Sequence, residues 1–373
     1  MLKKLMIFVP SLAGGGAERT IVNIIKHINK KKYQVVLVMI KNVKKDHQKS
    51  KYLKLIEGEC KIIYLDTTLS KIYFFDIVFK LAKCIREEKP NILFSTIYKA
   101  NIITFLGKVL SRYKVPIVLR ESNNRTAEGI SVIHKKAVSY IYNRASKIIS
   151  LSKGVAEDLI NNFNINSKLI NVIYNPIDIK EIRRLSLQTK HLNLKSGSEK
   201  LIISIGRLSE QKDFPTLIKA FKIVSEDMNI KLLILGQGPL YGELYELTKE
   251  LKIEDKITFL GFKENPYPYI KQSDLFVLSS KFEGFGHVIT ESMALDTPVI
   301  SSNCKSGPSE IIQDNISGDL FDVGNVNMLA NKILTLLEDD NLKANYISAA
   351  SRRVQDFEVE SIIKEYENVF DQL

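Results

Sequence analysis

Along this chain, short runs of β-branched and aliphatic residues alternate with longer stretches whose apolar positions return every three or four residues. In the first half the runs fall at 5–9, 34–40, 61–65, 92–95, 117–120, 147–151 and 170–174, with amphipathic stretches such as 18–31 and 72–88 between them. That alternation predicts βαβ units, hence a parallel sheet with helices on both faces. After Asn175-Pro176 the pattern dissolves into a polar segment ending "QTKHLNLKSGSEK", which reads as a linker. It restarts with runs at 201–205, 230–235, 257–260, 275–279 and 298–302, and a last helix is expected at about 359–370. The fold class is therefore α/β, with two doubly wound Rossmann-like domains in tandem. The expected boundaries are 1–178, a linker at 179–200, a second domain at 201–355, and a terminal helix at 356–373 that crosses back to the first domain. Such sheets bind ligands beyond the carboxyl ends of their strands, and a site between two domains is the first place to look.

A length of 373 residues suits two domains, and 45% hydrophobic with 26% charged residues is a globular composition. No apolar run approaches the roughly 18–20 residues that cross a bilayer. Lys3 and Lys4 before "LMIFVPSLA" resemble the start of a signal peptide, but Pro10 interrupts the run and a helix opening follows. A first strand feeding a glycine loop explains these residues better. Three scattered cysteines suit a reducing cytoplasm and argue against a disulfide framework or a zinc site. The net charge of +12 is unevenly placed: residues 1–180 hold 32 Lys and Arg against 13 Asp and Glu, and residues 181–373 hold 22 against 29. The basic half either meets an anionic partner or solvates its helices with lysine.

Five stretches could carry chemistry. "PSLAGGGAERT" (10–20) ends a strand on three glycines and opens a helix, where bare amides favour an anion; a tight turn would use the same residues. It is neither a dinucleotide fingerprint nor a P-loop. "SIGRLSEQKDFPTLIKAF" (204–221) places Arg207 just after a strand and Lys212 in the next loop, two cations positioned to hold a diphosphate. "LGQGPL" (235–240) reads as a plain glycine turn. In "FEGFGHVITESMALDTPVIS" (282–301), Glu283 can accept from hydroxyls. Gly284, Phe285 and Gly286 bare their amides before a helix starting at His287, and Glu291 lies two turns on. A separation of at most roughly 12 Å suits two hydroxylated groups joined by a diphosphate better than one metal ion. "NCKSGPSEII" (303–312) reads as architectural, with a helix capped by Ser306 or Ser309.

Taken together, "GGGAER", "YNPID", "GRLSEQKDF", "LGQGPL" and "EGFGHVITESMALDTPVI" resemble the retaining glycosyltransferases of family GT4, in family order over nearly the whole chain. The resemblance implies the GT-B fold, two Rossmann-like domains facing across a cleft, with a nucleotide-sugar held by the C-terminal one. It implies that Arg207 and Lys212 neutralise the diphosphate as charge grows on the leaving group. Glu283, with the amides of Gly284, Phe285 and Gly286 and with His287 beside them, would hold the sugar. Glu291 would bind the ribose, the backbone around Phe262 and Lys263 would meet the base, and Gly15 and Gly16 would close over the phosphates. The implied reaction retains anomeric configuration by front-face departure and attack, the leaving phosphate taking the acceptor's proton. No D-x-D occurs in the sequence, in keeping with a reaction that needs neither metal nor cofactor.

One departure concerns the first domain. Relatives carry a histidine after the fifth strand; here the stretch is "VLRESNNRT", with Ser122 at that place. Glu121, Ser122 and Asn123 are the residues expected on the acceptor side, His134 lying too far along. The segments 71–89 and 98–114 mix aromatic, aliphatic and basic residues, which suits either helices packed on a sheet or contact with an anionic membrane surface. The expected protein is a cytoplasmic enzyme, peripheral at the inner face of the membrane. It transfers a hexose or N-acetylhexosamine, from a UDP-sugar, to a lipid-linked or growing envelope glycan. A sugar-nucleotide epimerase of the same fold, a non-catalytic nucleotide-sugar binder and a basic nucleic-acid-binding protein are the alternatives. The GT4 pattern argues against the first, the presence of Arg207, Lys212 and Glu283 against the second, and the lack of any nucleic-acid-binding motif against the third.

Overall fold

The computed structural model describes residues 2–12, 15–41, 51–67, 73–127, 129, 132–188, 194 and 197–373. The chain forms two compact units, Met1–Pro176 with Val359–Leu373, and Ile177–Glu358. The first holds a parallel sheet of seven strands: β1 (Lys3–Phe8), β2 (Tyr33–Lys41), β3 (Lys61–Asp66), β4 (Ile92–Thr96), β5 (Ile117–Glu121), β6 (Lys147–Ser150) and β7 (Ile170–Val172). Their order is β3-β2-β1-β4-β5-β6-β7. The second holds β8 (Lys200–Ile205), β9 (Ile230–Leu235), β10 (Ile257–Gly261), β11 (Leu275–Leu278), β12 (Val299–Ser302) and β13 (Asp319–Phe321), in the order β10-β9-β8-β11-β12-β13, again all parallel. The order reverses between β1 and β4 in one sheet and between β8 and β11 in the other. Loops leaving neighbouring strands diverge there, which opens a crevice at the carboxyl edge.

Alternate residues of each strand feed opposite layers. In β1, Met6 and Phe8 join the core under the helices Tyr73–Glu88 and Tyr98–Ser111. Leu5 and Ile7 join the opposite core with the helix Gly16–His27 and the terminal helix Val359–Asp371. That last helix presents Val359, Ile362, Ile363, Tyr366, Val369 and Phe370 as one buried stripe, the three-to-four spacing of a helix face. In the second unit Ile202, Leu232, Ile234, Val277 and Ile300 pack under the helices Phe214–Asp227 and Val326–Glu338.

Among the described residues of the first unit, the charged side chains of Arg120 and Glu121 lie entirely inside. Arg120, in β5, is fully buried. Its guanidinium donates to Thr96 Oγ1 at 2.8 Å, to Tyr366 Oη at 3.0 Å and to Asn175 Oδ1. It thereby joins the end of β4, the terminal helix and the last residues before the chain leaves the unit. All three partners are neutral oxygens, so hydrogen bonds rather than a direct ion pair help offset the cost of burying the charge. Burial raises the Tyr366 phenol above its usual range, against the pull of Arg120, so it stays protonated.

Every expected strand is present to within a residue or two, and β13, only three residues long, is an addition. The expected linker is corrected in part. Residues 179–186 form the helix Ile179–Ser186, with Ile179 and Ile182 buried and the Asp178 side chain accepting from the Glu181 amide at 2.8 Å. Chain positions 189–193 and 195–196 of that segment lie outside the described residues. The terminal segment changes units at Val359, and the turn Val354–Phe357 stays with the second unit.

Backbone contact between loops explains the "LGQGPL" turn. The amide of Gly206 donates to Leu235 O at 3.0 Å and that of Leu208 to Gln237 O at 3.1 Å. At Gly236, where φ is +139°, a Cβ would stand 1.9 Å from Gly206 O. Gly236→Ala is therefore expected to lower unfolding free energy in urea by roughly 3 kcal/mol or more, whereas Gly324→Ala, with φ +78° and open space around it, should cost only about 1 kcal/mol. Arg120→Met should cost about 3 kcal/mol in the same titration, since three buried oxygens lose a charged donor.

Candidate active site

Two loops meet at the reversal point of the second sheet. The loop after β8 carries Arg207 and then a short 3-10 turn, Glu210–Lys212. The loop after β11 carries Ser279, Ser280 and the Glu283–Gly286 stretch. They are cross-tied: Lys281 N donates to Gln211 O at 2.8 Å, Gln211 Nε2 to Phe282 O at 2.9 Å, and Ser279 Oγ to Lys212 O at 2.9 Å. The side chains of Lys212 and Glu283 close the junction, the ammonium donating to Glu283 Oε1. Ser280 Oγ donates to the same oxygen at 2.7 Å, and Ser302 Oγ holds Ser280 O at 2.6 Å. Both donors converge on Oε1, leaving Oε2 to accept from a further partner. The Lys212 stem runs over Gly206, where a Cβ would lie 3.1 Å from it. Arg207 stands exposed at the edge of this arrangement.

The Glu283 loop is built tightly. Gly284, Phe285 and Gly286 are all buried, and the helix His287–Ala294 begins directly after them. The Phe285 ring packs edge-on against Phe357, with centroids 5.4 Å apart, and His287 lies edge-on to Phe285 at 6.1 Å. Behind the loop, a Cβ on Gly307 would fall 2.4 Å from Phe285 O, so "KSGPS" is a backing wall that requires glycine. Glu291 is buried in the helix. Cys304 is also buried here; burial, and then the nearby Glu283 charge, push its thiol up to about 12, so it remains protonated. Phe262, beyond the end of β10, is exposed, and the Lys263 ammonium lies 5.9 Å from the Tyr269 ring centroid.

In the first unit Gly15 and Gly16 are exposed at the start of the helix Gly16–His27, and the Gly15 amide donates to the Glu18 carboxylate. Ala13 and Gly14 lie outside the described residues. Glu121 departs from the acceptor-lining role expected of it. It is fully buried; Oε1 accepts from Ser122 N at 2.8 Å, Asn123 N at 3.3 Å and Arg125 at 2.6 Å, and Oε2 accepts from Tyr142 at 2.7 Å. With its oxygens spent inward, it shapes the loop that presents Ser122 and Asn123, both half-buried. Asp158 fixes the far side of that loop by accepting from Arg125 N at 2.8 Å. His134 is exposed on the helix Val132–Tyr142, its ring edge-on to Tyr98.

The arrangement thus brings Arg207, Lys212, Glu283 and Gly284–Gly286 to one carboxyl edge. Sequence reading passed over Gln211, Ser280 and Ser302, because a hydroxyl or amide beside a strand end has no pattern of its own. A pair of cations with an acceptor carboxylate is chemistry for a phosphorylated, hydroxylated ligand.

Family models agree with both units. Residues 14–181 match the model described as Glycosyltransferase Family 4, and residues 188–353 that described as Glycosyl transferases group 1. A Campylobacter jejuni protein is 32% identical over 379 residues, 98% of each chain. It is named N-acetylgalactosamine-N,N'-diacetylbacillosaminyl-diphospho-undecaprenol 4-alpha-N-acetylgalactosaminyltransferase. A second from that organism, a GalNAc-alpha-(1->4)-GalNAc-alpha-(1->3)-diNAcBac-PP-undecaprenol alpha-1,4-N-acetyl-D-galactosaminyltransferase, is 27% identical over 98% of this chain and 97% of its own. Among solved structures, Anabaena HepE in complex with UDP and glucose superposes with a TM-score of 0.83 at 22% identity, over the whole of both chains, a likeness of fold. The chain belongs to glycosyltransferase family 4 and has the GT-B fold.

Proposed function

We propose that this glycosyltransferase is a retaining, metal-independent enzyme. In this reading it transfers a hexose or N-acetylhexosamine from a UDP-sugar to a lipid-linked envelope glycan, at the membrane surface. The observation that carries the reading is the Lys212–Glu283 pair at the reversal point of the second sheet, with Oε2 of Glu283 left to accept. Arg207 and Lys212 neutralise the diphosphate, and more strongly as the glycosidic bond breaks and negative charge collects on the leaving oxygen. Glu283 Oε2 accepts from a hydroxyl of the sugar, and the Gly284–Gly286 backbone with His287 lies along it. Glu291 serves the ribose, and the backbone near Phe262 and Lys263 the base.

The reaction balances without a protein nucleophile. The bond from the anomeric carbon to the diphosphate breaks, and a bond to the acceptor oxygen forms on the same face. The acceptor's proton passes to the departing phosphate. Both Campylobacter relatives are named for alpha linkages, and an alpha product from an alpha-configured nucleotide-sugar is retention. Their names also specify diphospho-undecaprenol acceptors, which supports a lipid-linked acceptor here. Ser122 and Asn123, presented by the buried Glu121, are assigned to the acceptor.

Thermal shift against UDP-, GDP- and ADP-sugars should select a UDP-sugar, and equal response to all three would remove the base assignment. Lys212→Ala should lower turnover by well over roughly tenfold, the scale of one lost charge-stabilising donor, with the fold intact by circular dichroism. Turnover should also survive EDTA; an absolute metal requirement would contradict the reaction as written.

A further inference from the structure

The helices Tyr73–Glu88, Tyr98–Ser111 and Val132–Tyr142 contribute to one core on a single face of the first sheet. Their outer surface is unlike that of an ordinary solvated layer. Phe75 is 62% exposed, Phe79 60% and Val109 59%, with Leu110 and Tyr140 also exposed. Phe75 and Phe79 are four residues apart, hence on one helical face, and Lys83, ion-paired with Glu87 at 3.8 Å, continues that row. Gly107 packs on Leu81, where a Cβ would stand 3.2 Å from the leucine side chain, so the first two helices run close together at that level. Val109, exposed near the end of the second helix, also lines the groove that follows it.

Where the second helix ends, an open groove of about 620 Å³ is lined by Lys108, Arg112, Lys114, Tyr113, Pro116 and Ser146 among others. It lies at the amino ends of β5 and β6, the edge of the first sheet opposite its carboxyl edge. Three of its lining residues are cations and none is acidic. Among the described residues, no carboxylate pairs with Lys108, Arg112 or Lys114. Lys108 is half-buried, and that burial lowers its ammonium below the usual lysine range, a cost that an incoming anion would offset. Apolar side chains beside unpaired cations complement a surface that is anionic above and hydrocarbon below.

We propose that this groove binds the phosphate of an anionic phospholipid headgroup, while Phe75, Phe79, Val109 and Leu110 enter the interfacial layer beside it. The docking face rests on the membrane location in the functional reading, and it fails separately from the donor chemistry. The test is sedimentation of the full chain with phosphatidylcholine vesicles, with and without phosphatidylglycerol. Wild-type protein should bind only the anionic vesicles. Lys114→Glu, a change at an exposed side chain, should weaken binding by roughly tenfold or more. Lys108→Gln/Arg112→Gln/Lys114→Gln should weaken it on the order of 100-fold, at about 1 kcal/mol per basic residue near the surface. Phe75→Ser/Phe79→Ser should release the protein at equal charge. UDP-sugar turnover on a water-soluble acceptor should be unchanged in all three variants. Wild-type vesicle binding by Lys114→Glu would overturn the proposal, as would equal binding to vesicles without phosphatidylglycerol. So would displacement from vesicles by millimolar inorganic phosphate, which would mark a site for free anions. Intact vesicle binding with no glycosyl transfer would instead sink the functional reading and leave the docking face standing.

Discussion

A carboxylate nine-tenths buried needs compensation, and Glu283 finds it in Lys212 and Ser280, both donating to one oxygen. This pairing constrains much of the second unit. It requires the loops after β8 and β11 to be neighbours, which the reversal of strand order provides. It lays the lysine stem against Gly206, where a Cβ would press on that side chain at 3.1 Å, and it sets a backing loop so close that only glycine fits at 307. A lysine and a glutamate on loops far apart in sequence thereby become one unit, with a carboxylate oxygen still open for a ligand. Breaking such a pair from either side leaves a poorly compensated charge, so both members matter to the shape of the site as well as to its chemistry.

The first unit solves a different problem by similar means. Arg120, Glu121 and Asp158 are buried charges used to hold backbone and helices in place. Arg120 binds the ends of β4 and of the unit's main segment to the terminal helix. Glu121 takes up the amides of the loop that follows β5. Where relatives are expected to carry a histidine, this chain therefore places a serine and an asparagine on a loop fixed from below. The exposed chemistry of the unit lies elsewhere, in an aromatic and basic helical layer.

How much of this was legible in the sequence depended on how local the signal is. The strands were legible because buried parallel strands are nearly continuous apolar runs, and β13 escaped because it sets only Leu320 and Phe321 between the carboxylates of Asp319 and Asp322. The helix Ile179–Ser186 was hidden in a polar stretch, although Asp178 three residues before Glu181, followed by Ile179 and Ile182, carries the start signal of a short amphipathic helix. Arg207, Lys212 and Glu283 stood out because charged residues just beyond a strand's carboxyl end are conspicuous in an α/β pattern. The inward turn of Glu121 was not visible, since a glutamate after a strand reads the same whether it faces solvent or Arg125. Cross-strand partners such as Ser302 and Ser280 belong to tertiary structure and leave no trace in spacing.

The central claim is that Lys212 and Glu283 act on the donor as one unit. A double-mutant cycle on kcat/KM for the proposed UDP-sugar donor, using Lys212→Ala, Glu283→Ala and the double variant, measures that coupling directly. The account predicts strong non-additivity, with a coupling energy above about 1 kcal/mol and a double variant little worse than the poorer single one. Additive losses would show two independent contacts and contradict it.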